Sequence, residues 1–177
     1  MSSDTDFSNM KLTSVLKEFM DSEGWEDEIK IDDDGDTSVA STFNINDQSH
    51  RFFFEILESG EVFKLYMYSP FSVPALRKNE MAIILNFVNM RIRIGRFATP
   101  TKDEASPVQF FAVADVEGGQ LGAKMIQTML NACTEYFEVY GPLMAIVALT
   151  KISAKQAIAD FIEEETKAAA DAVPDEL

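Results

Sequence analysis

The sequence predicts an α+β fold, a curved antiparallel sheet packed against helices in the order α-β-β-β-α-β-β-α. Three observations carry that expectation. Residues 37 to 69 form a run of β-branched and aromatic segments broken by short turn signals, the mark of an antiparallel meander. Segments with helical spacing lie before and after this block and do not alternate with it strand by strand, which disfavours a doubly wound parallel sheet. Hydrophobic residues make up 46% of the 177 residues and charged residues 25%, enough for one domain to bury a core without metal or disulfides. Residues 1–177 therefore read as a single domain. Its core spans about residues 9–166, between an acidic N-terminal segment and a frayed acidic C-terminal tail.

Asn9 to Ser22 reads as a helix, because Leu12, Val15, Leu16, Phe19 and Met20 recur at helical spacing and Gly24 sits at the stop position. Glu28 to Asp32 is a short candidate strand, a fourth beside three stronger ones, and Asp34-Gly35 gives a turn signal. Thr37 to Asn46 partly alternates, and Asn46-Asp47-Gln48 turns the chain. His50 to Leu57 follows as a strand. Its Phe52-Phe53-Phe54 puts apolar groups on both faces, as in a strand covered on two sides. Ser59-Gly60 turns again and Val62 to Ser69 returns. Pro70, Ser72 and Pro74 mark the next boundary, proline being well tolerated in the first turn of a helix.

Ala75 to Met90 reads as a helix, apolar over most of its circumference from Met81 onward and so expected to be buried. Arg91-Ile92-Arg93-Ile94 alternates as a strand with one polar face, which Gly95 breaks or bulges. Thr99 to Ser106 is a polar turn, and Val108 to Val116 a strand closed by Gly118-Gly119. Gln120 to Tyr140 is a helix striped by Leu121, Ile126, Met129, Leu130, Cys133 and Phe137. Gly141-Pro142 ends or bends it, and a last helix runs from about Leu143 to Thr166.

The net charge is -15, yet it is unevenly spread. Residues 1–36 carry -9, residues 163–177 carry -5, and the body between them carries only -1. Acidic ends of this kind serve solubility. The balance argues against a nucleic-acid partner, whose phosphates recruit cations, and equally against an anionic membrane surface. A lone cysteine cannot form an internal disulfide, the N-terminus lacks the basic and apolar regions of a secretory signal, and no apolar run approaches the ~20 residues of a membrane span. These features predict a cytoplasmic protein.

No catalytic residue, metal site or cofactor is expected. Asp32-Asp33-Asp34-Gly35-Asp36 invites a calcium reading. With Gly35 in the place of the loop glycine, however, Lys30 falls where the first acid belongs and Ser41 where the closing glutamate belongs. A solvated hairpin turn fits better. His50 is the only histidine and lies in a predicted strand, so Cys/His zinc sites and histidine-based nucleophile sets lack their parts. Cys133 lies on an apolar helical stripe, as a buried small hydrophobe would. Glu55, Glu58 and Glu61 show no pairing of opposed environments, and Gly118-Gly119 lacks the rest of a phosphate-binding motif.

Three groups remain as candidate partner-binding residues. Asn79, Asn86 and Asn89 fall within about 80° of one another on their helix. Such a stripe either fixes packing through hydrogen bonds or lines a groove. Arg91, Arg93 and Arg96 crowd into six residues. They either pair with nearby acids or receive an acidic partner segment, which could be the chain's own Asp32–Asp36 run. Tyr66 and Tyr68, with Phe71, are the aromatics placed to form an exposed patch.

The central segment is similar to a known family. Leu85-Asn86-Phe87-Val88-Asn89 is a family-like helix end with two asparagines, Gly95-Arg96-Phe97 the glycine–aromatic start of the next strand, and Phe110 to Glu117 the apolar strand that follows. Over roughly Leu12 to Phe161 the chain resembles the YbjN family of bacterial sensory transduction regulators. The resemblance implies a fold shared with type III secretion chaperones, and a non-enzymatic, chaperone-like protein-binding or regulatory role. Its partner would be a protein or peptide, with a homodimer through the last helix or a sheet edge as a further expectation. The alternative is a small enzyme or small-molecule-binding protein whose site is lined by Asn86 and Asn89.

Overall fold

The apolar stripe near the N-terminus closes as helix α1 (Lys11–Ser22), burying Leu12, Leu16, Phe19 and Met20. Its first turn has no side-chain cap of its own. The carboxylate of Glu58 instead accepts the N–H groups of Leu12 (2.8 Å) and Thr13 (3.1 Å) and the Thr13 hydroxyl (2.9 Å). An anion there satisfies orphan donors and meets the positive end of the helix dipole. These coordinates are a computed structural model that describes Phe7 and residues 9–101 and 104–171. The outer parts of both acidic ends, residues 1–6 and 172–177, lie outside the described residues.

The chain continues through β1 (Ile29–Ile31), β2 (Thr37–Ile45), β3 (Gln48–Leu57) and β4 (Val62–Val73). A 3₁₀ turn over Ala75–Arg77 leads into α2 (Lys78–Asn89), followed by β5 (Arg96–Ala98), β6 (Ser106–Asp115), α3 (Ala123–Leu149) and α4 (Ala154–Asp171). All six strands form one antiparallel sheet in the order β1-β2-β3-β4-β6-β5. The expected α+β class is observed; the eight-element order gains the short candidate strand β1, making four strands before α2, and the last helix α4 after α3. The β2–β3 connection is a two-residue turn with Asn46 and Asp47 at φ 50° and 60°, the left-handed pair that the twist of a tight hairpin favours.

One sheet face is fully covered. Phe52, Phe54, Phe63, Leu65, Met67, Val108 and Phe110 have no exposed surface and point toward the helices. Phe137 of α3 packs on Phe97 of β5 at 5.1 Å, and Trp25 sits among Phe19, Phe52 and Phe54. Each such side chain contributes about 1.5–3 kcal/mol on burial. Cys133 is buried against the Met67 sulfur at 3.5 Å, and burial pushes its thiol well above the usual range. The α3–α4 junction is clasped from below by α2's entry. Arg77 donates to the carbonyls of Val147 and Ile152, and Glu80 accepts the N–H of Ala154.

Four expectations are corrected. The sheet does not stop at Pro70, because β4 absorbs it in a register shift between Tyr68 and Ser72, where no ladder donor is required. The Ser69 hydroxyl fills the gap, accepting the Val108 N–H (2.9 Å) and donating to the Phe71 carbonyl (2.6 Å). Arg91 to Ile94 is not a strand. The N–H groups of Arg91 and Ile92 are taken by the Val88 carbonyl at the end of α2, so they cannot join a ladder. Pro142 neither ends nor splits the helix, and α3 runs through it for 27 residues. A proline cannot donate to the carbonyl four residues back, which here is that of Glu138. Asn46, from the β2–β3 turn, donates its side-chain amide to that same oxygen at 3.1 Å. Finally, β3 is covered on one side only, since Phe53 faces away from the helices and is half-buried.

Gly95 has φ +69°, and a Cβ there would meet the Phe110 ring and stand 2.7 Å from the Phe111 carbonyl oxygen. Gly95→Ala is expected to destabilise the protein by about 3 kcal/mol, read from chemical denaturation followed by Trp25 fluorescence. An unchanged midpoint would refute this close approach.

His50 is 3% exposed, lies edge-on to Phe137 at 4.7 Å, and its Nδ1 has no hydrogen-bond partner among the described residues. Burial holds its pKa below 6.5, against a smaller upward pull from the Tyr68 backbone. The folded state therefore binds this proton less readily than the unfolded chain. The stability due to neutral His50 is complete above about pH 6.5 and is lost as pH falls toward the folded pKa. The denaturation midpoint should drop as pH falls below about 6.5, and His50→Phe should flatten that drop.

Candidate functional site

Alternation along paired strands decides which side chains leave the core. In β3, β4 and β6 the residues facing away from the helices include Arg51, Phe53 and Glu55, then Lys64, Tyr66 and Tyr68, then Gln109, Phe111 and Val113. Register aligns them into cross-strand rows. One row reads Ala40, Phe53, Tyr66, Phe111 and Arg96 from β2 to β5. The next reads Thr42, Arg51, Tyr68, Gln109 and Ala98.

The rings touch one another. Tyr66 and Phe111 lie 4.9 Å apart, and Phe53 meets Tyr68 edge-on at 5.8 Å. Among the described residues no helical side chain makes a ring contact with these four. Two guanidinium groups lie over the row, Arg51 above Phe53 at 5.4 Å and Arg96 above Phe111 at 5.2 Å. The Glu55 carboxylate accepts from Lys64 (2.8 Å) and from the Tyr66 hydroxyl (3.1 Å). Burial, with that hydrogen bond and the Glu55 charge, pushes the Tyr66 pKa up to about 12, so the hydroxyl remains a donor. Burial likewise raises Tyr68, although the Arg51 charge pulls the other way, and its oxygen accepts from Gln109 at 3.1 Å.

The register shift in β4 opens a cleft at one end of this face. It has a volume of about 560 Å³ and is lined by Arg51, Phe53, Tyr68, Pro70, Phe71 and Pro107, with serines between them. A second hollow, of about 360 Å³, lies beside Trp25 and Phe43 at the edge of β2.

Residues 13–141 match the family model of YbjN, described as "Putative bacterial sensory transduction regulator". The chain belongs to the YbjN family. The YbjN match takes in all of β1 to β6 and α2, stops just before Pro142, and leaves α4 outside, so it is shorter than the Leu12–Phe161 span read from sequence. No curated protein matches the chain. Among the solved structures similar to it are the following three. "Crystal Structure of the ExsC-ExsE Complex" matches at 14% identity and TM-score 0.45, over 76% of this chain and 95% of that one. "Structure of the HopA1-SchA Chaperone-Effector Complex" matches at 15% and 0.46, over 75% and 94%. An uncharacterized protein from Methanothermobacter thermautotrophicus matches at 12% and 0.47, over 86% and 97%.

Within this YbjN chain the sequence candidates part company. Tyr66 and Tyr68 stand in the open-face rows, Phe71 lines the cleft, and Arg96 stacks on the row's end. The arginine trio does not share a face. Arg91 sits over Phe87 at 4.4 Å and pairs with Glu165 of α4 at 3.0 Å, while the Arg93 backbone N–H donates to the Tyr136 hydroxyl. The Asp32–Asp36 run is a self-contained turn, with the Asp32 carboxylate accepting from the backbone of Asp34 and Asp36. It lies at the β1 edge, five strands from Arg96, and so cannot be the segment that docks there.

The asparagine stripe is also divided. Asn89 donates to the Phe97 carbonyl (3.0 Å) and accepts its N–H (2.7 Å), pinning β5 to α2. Asn79 and Asn86 are exposed, and neither cavity described above includes them. Glu58 and Glu61 are likewise occupied, Glu58 on α1 and Glu61 on the N–H of Gly118. Sequence reasoning missed Arg51, Phe53 and Phe111. Their signal was present, because they share the strand parity of Tyr66 and Tyr68 once the register is known.

Among the described residues no cluster of three His, Cys, Asp or Glu could hold a metal, and no helix is long and apolar enough to cross a membrane. Asn89→Ala leaves both backbone groups of Phe97 unpaired and should cost about 2–4 kcal/mol of stability. Asn86→Ala should stay within about 0.5 kcal/mol. Equal effects in thermal denaturation would contradict this assignment.

Proposed function

We propose that this protein is a non-enzymatic, cytoplasmic regulatory module that holds a segment of another protein against its open sheet face. The observation that carries this reading is the row of half-buried aromatics, Phe53, Tyr66 and Phe111, on a face over which none of the described helices packs. A contiguous exposed apolar surface on a folded domain marks an interaction site, and its rings offer large contact area at small cost in side-chain entropy. Membership of a family described as regulators of sensory transduction agrees with it. Glu55, Lys64 and Tyr66 hold one another in place, as do Gln109 and Tyr68, an arrangement that supports a binding face.

The test is site-specific photo-crosslinking in cells. A benzophenone side chain at position 53 should give discrete protein adducts that disappear with Tyr66→Ala, while the same group at position 83, exposed on α2, should give none that depend on Tyr66. Adducts from position 83 alone, or adducts from position 53 indifferent to Tyr66→Ala, would overturn the assignment. Denaturation of Tyr66→Ala followed by Trp25 fluorescence checks that the fold survives.

A further inference from the structure

The open face is where this chain's charge reverses. The whole protein carries -15. Yet the strand residues facing this side include four bases, Lys30, Arg51, Lys64 and Arg96, against two acids, Glu55 and Asp115. Glu55 is already shared by Lys64 and Tyr66. Among the described residues Arg51 and Arg96 make neither an ion pair nor a side-chain hydrogen bond, and each lies over an aromatic ring.

That stacking has a chemical consequence. A guanidinium resting on a ring keeps its N–H edges free and loses little further freedom when it grips a carboxylate in bidentate fashion. Phe53 and Phe111 are separated by one strand, so the rings that seat the two guanidinium groups lie about 10 Å apart. In an extended chain, side chains two to four residues apart bracket that distance, at about 3.3 Å per residue. Between the two rings in this row lies Tyr66, whose ring rests on Phe111 at 4.9 Å and offers an aromatic seat.

We infer that the open sheet face takes an extended acidic segment of a partner protein, with carboxylates on Arg51 and Arg96 and an apolar side chain between them on Tyr66 and Phe111. This rests on the face being a docking surface, and adds what docks there. A polynucleotide is disfavoured, because its continuous phosphates would meet a chain of net -15 with two unpaired cations at the site.

Fluorescence anisotropy tests it on the full chain. The probe is a labelled short peptide alternating glutamate with leucine, compared with an equal-length peptide alternating lysine with leucine and with oligouridylate. The glutamate peptide should bind, its affinity should fall with added salt, and Arg51→Gln and Arg96→Gln should each weaken it about tenfold. Equal binding of the lysine peptide, lost in Phe111→Ala, would overturn the acidic partner while leaving the docking face intact. Preferential binding of oligouridylate would overturn it in favour of a nucleic acid. Binding of none of the probes would overturn it, and crosslinks from position 53 then decide whether the docking face falls with it. A concentration-dependent dimer in light scattering, dissolved by Phe111→Ala, would show a second copy of this chain as the occupant.

Discussion

The register of β4 is the constraint on which the rest of this architecture depends. This strand pairs with β3 on one side and β6 on the other, and its alternation sends Phe63, Leu65 and Met67 inward and Lys64, Tyr66 and Tyr68 outward. A slip of one residue would exchange the two sets, placing phenols and an ammonium in the core and stripping it of three large apolar groups. The shift between Tyr68 and Ser72 keeps such a slip from arising at Pro70. It takes up the irregular residues locally, with the Ser69 hydroxyl standing in for the missing ladder contact to Val108. The same irregularity opens the cleft beside Tyr68, so the device that protects the core also shapes the surface.

Much of this was legible in the residues. The meander, the α+β class and the tight turn at Asn46-Asp47 follow from local pattern, because period and turn chemistry are properties of neighbours in the chain. Three misreadings share a cause. Pro70, Pro142 and the Arg91–Ile94 alternation each carry a correct local signal that a partner elsewhere in the fold overrides. Ser69 reaches Val108, Asn46 reaches the carbonyl that Pro142 abandons, and Val88 claims the donors that a strand would have needed. None of these partners can be read from the segment concerned.

The site divides along the same line. Tyr66 and Tyr68 could be picked out because a strand's parity is visible in sequence, whereas Arg51, Phe53 and Phe111 joined them only when β3, β4 and β6 were laid side by side. Asn89 is unlike its helical neighbours Asn79 and Asn86 because Phe97 stands opposite it, and helical spacing alone treats the three as equals. The acids are dispersed too. Glu55, Glu58 and Glu61 cluster in sequence, yet one serves a lysine and a tyrosine, one a helix start and one a loop N–H.

Asn46 holds a left-handed backbone angle and also supplies the amide that Pro142 leaves α3 needing. Glycine would keep the first of these and lose the second, glutamine would keep the donor and strain the backbone, and aspartate would bring an acceptor to an acceptor. An exposed loop tip, ordinarily a permissive kind of position, thus carries two requirements at once, a left-handed backbone angle and an amide donor. The hairpin and the second half of the long helix are thereby joined through one exposed hydrogen bond, and water can take over the Glu138 carbonyl wherever Asn46 is replaced.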